Sequence, residues 1–484
     1  MANTGALTLA VGPLARLDVP SLLLSLDRYP YGCAEQTSSR ALPLLYLNEV
    51  ASMIGVGSDD KLNETVTKAI ASTLAKQTST GGFGLWGPFD GGDLWLDAYV
   101  TDFLIRAKAE GYAVPEEAMS MALDNLANQV SYATDFDNGG EAIAYALHDL
   151  ARAGRAAIGD LRYYLEARLD AFASPLAKAQ LGAALALYGD STRSETAFLA
   201  AVEDLRKAEQ PNRYRSDYGS LLRDTAGVLT LAAEFKPAGV DIGALTGQLA
   251  KLRDRARYTS TQEDSWTLLA AAAVGRDSAD GSIPVNGEAL TGPVYRRFDQ
   301  EALEAAPVEI TNNGDTDTEA KVTVTAIPQT PPPVSSNGFI ITREYFLPDG
   351  TSVDPQAAPI AQNERLVVLL TVKPQHLGSG QYVIADPLPA GFEIENPDLS
   401  AGEGVSDFAR LTVDAPTHVE SCTDQFVAAF RYYSDTAAFK TAYMVRAVSP
   451  GSFTLPGATV EDMYRPEFRG NTAAGRIEVT QAGQ

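Results

Sequence analysis

The chain has 484 residues, more than one ordinary hydrophobic core accommodates, so at least two domains are expected. Hydrophobic residues make up 45% and charged residues 21%, the balance of a soluble globular protein, and no apolar run approaches the roughly 20 residues of a membrane-spanning helix. A net charge of −24 repels phosphate backbones and anionic lipid, which argues against nucleic acid as a partner.

The chain opens Met1-Ala2-Asn3-Thr4-Gly5-Ala6, with no basic segment followed by an apolar one before a small-residue cleavage site. Read literally, it carries no export signal; read as a fragment, its leader lay upstream. Leu7-Thr8-Leu9-Ala10-Val11 alternates like a strand. It can pair with a β region at 283–328, which would make the intervening helical region an insertion between strands of one sandwich.

The stretch that carries chemistry is Tyr29-Pro30-Tyr31-Gly32-Cys33-Ala34-Glu35-Gln36-Thr37-Ser38-Ser39-Arg40. Helical periodicity begins directly after it, so Cys33 and Gln36, three apart at a helix start, are expected as neighbours on one face. Pro30 and Gly32 supply the entry turn. A thiol beside a primary amide can form an intramolecular thioester with loss of ammonia, leaving an acyl group open to amines, hydroxyls or water.

From Pro20 to about Gly275 the sequence is rich in alanine and leucine with a helical period. Trp95–Ala109, Glu141–Ala153, Pro175–Tyr188, Leu221–Phe235 and Ser265–Val274 each repeat it. Starts spaced by roughly 35 to 46 residues match helix-pair arrays, and such pairs bury their stripes only against neighbours, as in a ring or solenoid. Gly111, Pro115, Gly139-Gly140, Gly154, Pro211 and Pro237 fall between the periodic segments.

After Ile283 the texture changes to β-branched alternation. Lys321–Ile327, Phe339–Phe346, Arg365–Val372, Gln381–Ile384, Phe426–Tyr433, Ala442–Val448 and Gly475–Val479 are predicted strands, with turns at Pro348-Asp349-Gly350 and Ser449-Pro450-Gly451. Thr330-Pro331-Pro332-Pro333 cannot sit inside a sheet and marks a boundary between two β-sandwiches.

Cys33 and Cys422 are the two cysteines. Counts alone fit a single disulfide or two reduced thiols. If Cys33 is acylated, Cys422 has no partner in the chain and is expected to be buried. Neither cysteine belongs to a Cys-x-x-Cys pair, and His148, His376 and His418 are scattered, so no metal and no cofactor is expected.

The run Gly32-Cys33-Ala34-Glu35-Gln36 resembles the thioester signature shared by α2-macroglobulins and complement components. The longer Tyr29–Arg40 stretch resembles the bacterial α2-macroglobulins in particular. Trp95-Leu96-Asp97-Ala98-Tyr99-Val100 is similar to a helix of that family's thioester domain. Tyr443–Val448 and Pro456–Tyr464 are similar to its terminal macroglobulin-type domain. The fold class that this implies is multidomain α plus β. Residues 1–17 would be a strand segment of a CUB-like sandwich and 18–280 an α/α-toroid thioester domain. Residues 281–330 would complete the CUB-like part, and 331–484 would form a macroglobulin-like β-sandwich.

The resemblance also implies a function. The chain would be part of a broad-spectrum endopeptidase inhibitor in bacterial defence, not an enzyme, capturing attacking proteases covalently through a Cys33–Gln36 thioester, with Glu35 in the motif. The upstream macroglobulin domains and the bait region that proteases cut are absent from this sequence. The resemblance implies a periplasmic or cell-envelope monomer, tethered through an N-terminal lipid not visible here. Water must be kept from such a bond; in bacterial relatives a tyrosine at the position of Tyr29 packs against a methionine at that of Met463. Relatives that esterify hydroxyls carry a histidine in a loop corresponding to Ser131–Asn138, where this chain has none, so amines, chiefly lysine, are the expected targets. His148 falls within the next helical pattern and is expected to be a satisfied, partly buried residue.

Two other readings stand beside this one. Gln77–Trp86 resembles the glycine-aromatic repeats of α/α-toroid enzymes of the terpene-cyclase type, and Asp90-Gly91-Gly92-Asp93 resembles an acidic motif, but the spacing does not match the olefin-protonating acid. A non-reactive structural module, with Cys33 inert, is the third. Intact mass separates them: a thioester lightens the chain by one ammonia, a disulfide by two hydrogens, and an unmodified cyclase by neither.

Overall fold

The computed structural model describes residues 5–12, 14–28, 31–90, 93–133, 135–136, 139–208, 214–275, 282–291, 294–313, 317–375, 378–395, 413–432 and 437–482. Two compact units emerge. One comprises Met1–Pro211, Arg215–Arg257 and Thr261–Ile327, and the other Pro328–Gln484 with the tripeptides Asn212–Tyr214 and Tyr258–Ser260.

The alanine-rich region of the first unit forms α1 (Val19–Arg28), α2 (Ala34–Ala41), α3 (Leu44–Met53), α4 (Asp59–Leu74), α5 (Leu94–Ala109), α6 (Glu116–Tyr132) and α7 (Glu141–Arg152). It continues through α8 (Ile158–Arg168), α9 (Pro175–Leu187), α10 (Ser191–Lys207), α11 (Leu221–Phe235), α12 (Ile242–Arg255) and α13 (Thr261–Gly275). Helices α2, α5, α7, α9, α11 and α13 pack each against the next, and α13 returns to α2, which closes a ring. The alternating helices back this ring: α4 lies on α2, α6 on α5 and α7, α10 on α9 and α11, and α12 on α11.

Burial explains the two layers. Every residue of α11 from Leu222 to Ala233 is buried, whereas α12 buries only Leu245, Leu249 and Ala250. A helix enclosed on all sides is mostly apolar or small, with its buried charges paired as Arg223 and Asp224 are, while an outer helix needs one stripe. Small residues let the inner helices approach closely: a Cβ at Gly227 would stand 2.6 Å from Leu176 Cδ1. Side-chain caps start many of the helices. Ser58, Ser174, Ser220 and Asp241 each accept a backbone N–H three residues on, each cap contributing about 0.5–2 kcal/mol.

The strand Ala6–Val11 lies between Val294–Asp299 and Ala320–Thr325, antiparallel to both, with Leu9 opposite Arg296 and Val322. Leu9, Val11, Val285 and Val294 form the small core beneath this sheet.

The second unit holds two larger antiparallel sheets. One runs in the order Phe392–Glu395, Phe439–Ala447, Arg365–Pro374, Phe339–Phe346, Ser352–Val353. The other runs His418–Ser421, Gln425–Tyr432, Gly380–Pro387, Thr459–Asp462, Arg469–Asn471, Ser335–Asn337. Leu366, Val368 and Leu370 at period two on one sheet meet Tyr382, Ile384, Phe430 and Val460 of the other in one core. A buried ion pair, Arg343 with Asp386, crosses that core, and Tyr443 Oη donates to Asp386 at 2.8 Å. The fold is thus α plus β, as the sequence implies.

Two details differ from the sequence expectations. Helix α13 begins at Thr261, a turn earlier than the apolar period indicates, because its first residues are polar yet buried. Cys422 is half-buried rather than buried: it sits in the tight turn between His418–Ser421 and Gln425–Tyr432, where its N–H donates to the Gln425 carbonyl at 2.9 Å. Neither cysteine forms a disulfide. No described helix is long and apolar enough to cross a membrane.

Candidate functional site

Cys33 is the N-cap of α2, extended at φ −64° and ψ 164°. Its Sγ accepts the Gln36 backbone N–H at 3.4 Å, and its own N–H donates to Gln36 Oε1 at 3.3 Å. This is a capping box in which a thiol and a side-chain amide take the places of the usual hydroxyl and carboxylate. Two helix-end N–H groups are satisfied by it, the sulfur meeting the Gln36 backbone and the Gln36 amide oxygen meeting the Cys33 backbone. Cys33 is 0% exposed and Gln36 2%. The entry is pinned further: Ala34 N–H donates to the Leu85 carbonyl at 2.7 Å, and Thr37 Oγ1 to the Gly32 carbonyl at 3.3 Å.

Burial pushes the Cys33 thiol well above its ordinary pKa, and the negative charge of Glu35 adds to the shift. The site therefore does not stabilise a thiolate.

Glu35 is fully buried on the same turn. Its carboxylate accepts Ser39 Oγ at 2.5 Å, Thr261 Oγ1 at 3.0 Å to each oxygen, and Gln262 Nε2 at 2.8 Å. Ser39 Oγ lies 2.7 Å from Tyr99 Oη on α5 and accepts Gln262 Nε2 at 3.1 Å. Helix α2, whose sequence is Ala-Glu-Gln-Thr-Ser-Ser-Arg-Ala, thus buries its polar residues by hydrogen-bonding them to α5 and α13. Sequence reasoning missed Thr261 and Gln262, because helical period in apolar residues places the helix start at Ser265. The signal available was the unbroken polar run Ser260–Ser265 leading into the apolar part of the helix.

A second polar cluster lies among the inner helices. Arg106, itself buried, donates to Asp102 at 2.8 Å and to Glu234 at 3.1 Å, and Arg152 pairs with Glu234 at 2.5 Å. His148 is fully buried, more so than its sequence pattern indicates, because α7 is an inner helix of the ring. Its Nε2 accepts Arg152 Nε at 3.1 Å, which leaves the ring proton on Nδ1, 3.4 Å from Asp149. Asp102, His148 and Asp149 are close enough to consider as metal ligands. Two guanidiniums already occupy this cluster, and they oppose a further cation there.

Tyr29 and Pro30 lie outside the described residues, as do Thr134, Asp137 and Asn138 of the loop 131–138 and Gly91-Gly92 of the acidic motif. Met463 is buried in the second unit, where its N–H donates to the Gln381 carbonyl at 2.9 Å. Tyr132, Ala133 and Phe136 line an open cavity of about 760 Å³, together with Asp93, Trp95 and Glu141. Asp93 there caps α5 through the Trp95 N–H and accepts Tyr218 Oη at 3.0 Å.

Residues 7–152 match the model of the A-macroglobulin TED domain, and residues 338–467 that of the bacterial alpha-2-macroglobulin MG10 domain. Alpha-2-macroglobulin of Escherichia coli K12 is 32% identical over 95% of this chain, which spans 29% of that relative's length. The crystal structure of the native E. coli protein from domain MG7 to the C-terminus superposes with a TM-score of 0.84 at 29% identity, covering 99% of this chain and 78% of that one. Salmonella alpha-2-macroglobulin reacted with methylamine superposes with a TM-score of 0.84 at 30% identity, covering 99% of this chain and 32% of that one.

Proposed function

Because the chain belongs to the bacterial α2-macroglobulin family, a family of protease traps, we propose that Cys33 and Gln36 join in a thioester that captures proteases covalently. The observation that carries this reading is the reciprocal Cys33–Gln36 capping box. In bond formation Cys33 Sγ attacks Gln36 Cδ, the thiol proton and the amide nitrogen leave together as ammonia, and an S–C bond replaces the C–N bond. In capture a target amine attacks the same carbon, forms an amide, and returns the proton to Cys33 as free thiol. Negative charge develops both times on the Gln36 carbonyl oxygen, which the Cys33 N–H already faces at 3.3 Å. A closed site that disfavours thiolate also slows spontaneous expulsion of the sulfur, which suits a bond held in reserve.

Reaction of the Salmonella relative with methylamine supports amines as the attacking class. Protease trapping by the whole protein, a location in the bacterial cell envelope and action as a monomer are parts of the same proposal, resting on the family. So is the assignment of Ala6–Val11, Val294–Asp299 and Ala320–Thr325 to a CUB-like sandwich interrupted by the helical ring. Intact mass of the native chain tests the central claim. It is expected to be one ammonia lighter than the sequence mass, with Cys33 resistant to alkylation until methylamine is added. Full mass and stoichiometric alkylation of Cys33 beforehand would overturn it. A toroid enzyme of the cyclase type has no support from a particular observation at this site.

A further inference from the structure

Helix α2 has eight residues, and alanines at its two ends are its only apolar ones. Hydrophobic packing therefore does little to set where its first turn lies, and hydrogen bonds must. Three of these run through Glu35 to residues more than 220 positions away: Thr261 Oγ1 reaches both carboxylate oxygens and Gln262 Nε2 one of them. Gln262 also reaches Ser39 Oγ, one turn further along α2. Two side chains at the N-terminus of α13 thus grip α2 at two successive turns, and Cys33 and Gln36 flank the gripped residue.

We infer that Thr261 and Gln262 are positioning residues for the acyl chemistry, acting through Glu35 to hold the Cys33 sulfur against the Gln36 amide. This inference rests on the thioester reading. Intramolecular acyl transfer depends on reacting atoms held near 3–3.5 Å, and a displacement of about 1 Å can cost about 100-fold in rate. Hydrogen bonds to a buried carboxylate are short and directional, so they fix the turn more tightly than dispersion contacts with two alanines do. Thr261 and Gln262 touch neither reacting atom, so neither is a catalytic residue.

The test uses the full chain with Thr261→Val, Gln262→Met and the double variant, with Thr261→Ser as the conservative rescue. Thr230→Val serves as a control, since the Thr230 hydroxyl is buried on α11 and bonds within its own helix to the Ala226 carbonyl. Two quantities are read: the rate at which chains one ammonia lighter accumulate after synthesis, and the rate at which thiol appears on methylamine addition. Thermal unfolding is followed in parallel. Thr261→Val and Gln262→Met are each expected to lower the rate of thioester formation at least tenfold, with Thr261→Ser near wild type and Thr230→Val unaffected. If the double variant does not fold, the single substitutions decide. Folded single variants that form the bond at the wild-type rate overturn the inference, as does equal loss in Thr230→Val. A wild-type chain of full mass would instead refute the thioester itself, so the two failures are distinguishable.

Discussion

Asp97 Oδ1 accepts the Phe83 backbone N–H at 2.6 Å, which fastens the first turn of α5 to the segment whose Leu85 carbonyl receives the Ala34 N–H at 2.7 Å. The other oxygen of Asp97 takes Asn125 Nδ2 and Gln129 Nε2, both at 2.8 Å. One buried carboxylate thus ties three pieces of chain together beside the cysteine. Asp97→Ala leaves three donors without their acceptor and is expected to lower unfolding free energy by about 2–4 kcal/mol. Urea denaturation checks it, and a loss below about 0.5 kcal/mol would contradict the assigned role.

Asp149 gives a pH dependence. Both of its oxygens lack a hydrogen-bond partner among the described residues, and burial, reinforced by Asp102, holds its carboxyl well above the ordinary carboxylate range. The folded chain retains a proton that the unfolded chain releases near pH ~4. Stability therefore falls as pH rises from about 4 through the folded pKa, and the full penalty stands above it. Asp149→Asn removes the penalty and is expected to stabilise the protein by about 1–3 kcal/mol at pH 8, with little change near pH 4. Unfolding midpoints at the two pH values would show this as a difference confined to the alkaline one.

Gly81 adopts φ +93°, and a Cβ there would meet the Met121 carbonyl oxygen at 2.1 Å. Backbone cannot yield as a side chain can, and the left-handed conformation adds strain. Gly81→Ala is expected to cost about 2–4 kcal/mol, which a shift in the thermal midpoint would report.

A target preference follows from the loop that the family resemblance places over the thioester. The described part of the loop, Ser131 to Ala133 with Asp135 and Phe136, holds no histidine, and His148 is buried with its Nε2 engaged by Arg152. A hydroxyl needs a base to become a nucleophile, whereas an unprotonated amine does not. Methylamine is therefore expected to be incorporated at Gln36 in preference to glycerol. Comparable labelling by both at neutral pH would require another base.

Shielding by Tyr29 and Met463 is a proposal that rests on family resemblance. Tyr29→Gly and Met463→Ala are each expected to accelerate appearance of the Cys33 thiol in buffer without protease. Because the two are taken to form one cover, the double variant should be little worse than either single one. Wild-type release rates in both single variants would assign the shielding elsewhere.

Inner helices α5, α7, α9 and α11 were legible because enclosure leaves mostly apolar or small residues along them: α11 spans Leu221–Phe235, the limits its sequence pattern indicates. Outer helices were harder to read. In α12, Leu245, Leu249 and Ala250 are the buried residues among fourteen, a stripe too sparse to stand out from its polar flanks. That Cys33 and Gln36 would be neighbours was readable from spacing, since residues three apart at a helix start share a face. The support of Glu35 was not, because a buried carboxylate depends on donors that arrive from α13, 226 positions later in the chain. Local period carries no trace of such a partner. The same limit applies to His148, whose depth is set by ring closure rather than by its own helix.

That separation has a consequence for biosynthesis. Helices α2 and α13 are the first and last members of the ring, and the grip on Glu35 lies at the seam where they meet. A nascent chain emerges with Cys33 and Gln36 long before Thr261 is made. Until the seam closes, Glu35 lacks the donors that α13 brings, so on the thioester reading the thiol and the amide would not be held in place while the chain is still unfolded and surrounded by other proteins' amines. On the proposed thioester reading, arming of the bond would report completion of the ring, and a molecule that fails to close it would be left inert rather than indiscriminately reactive.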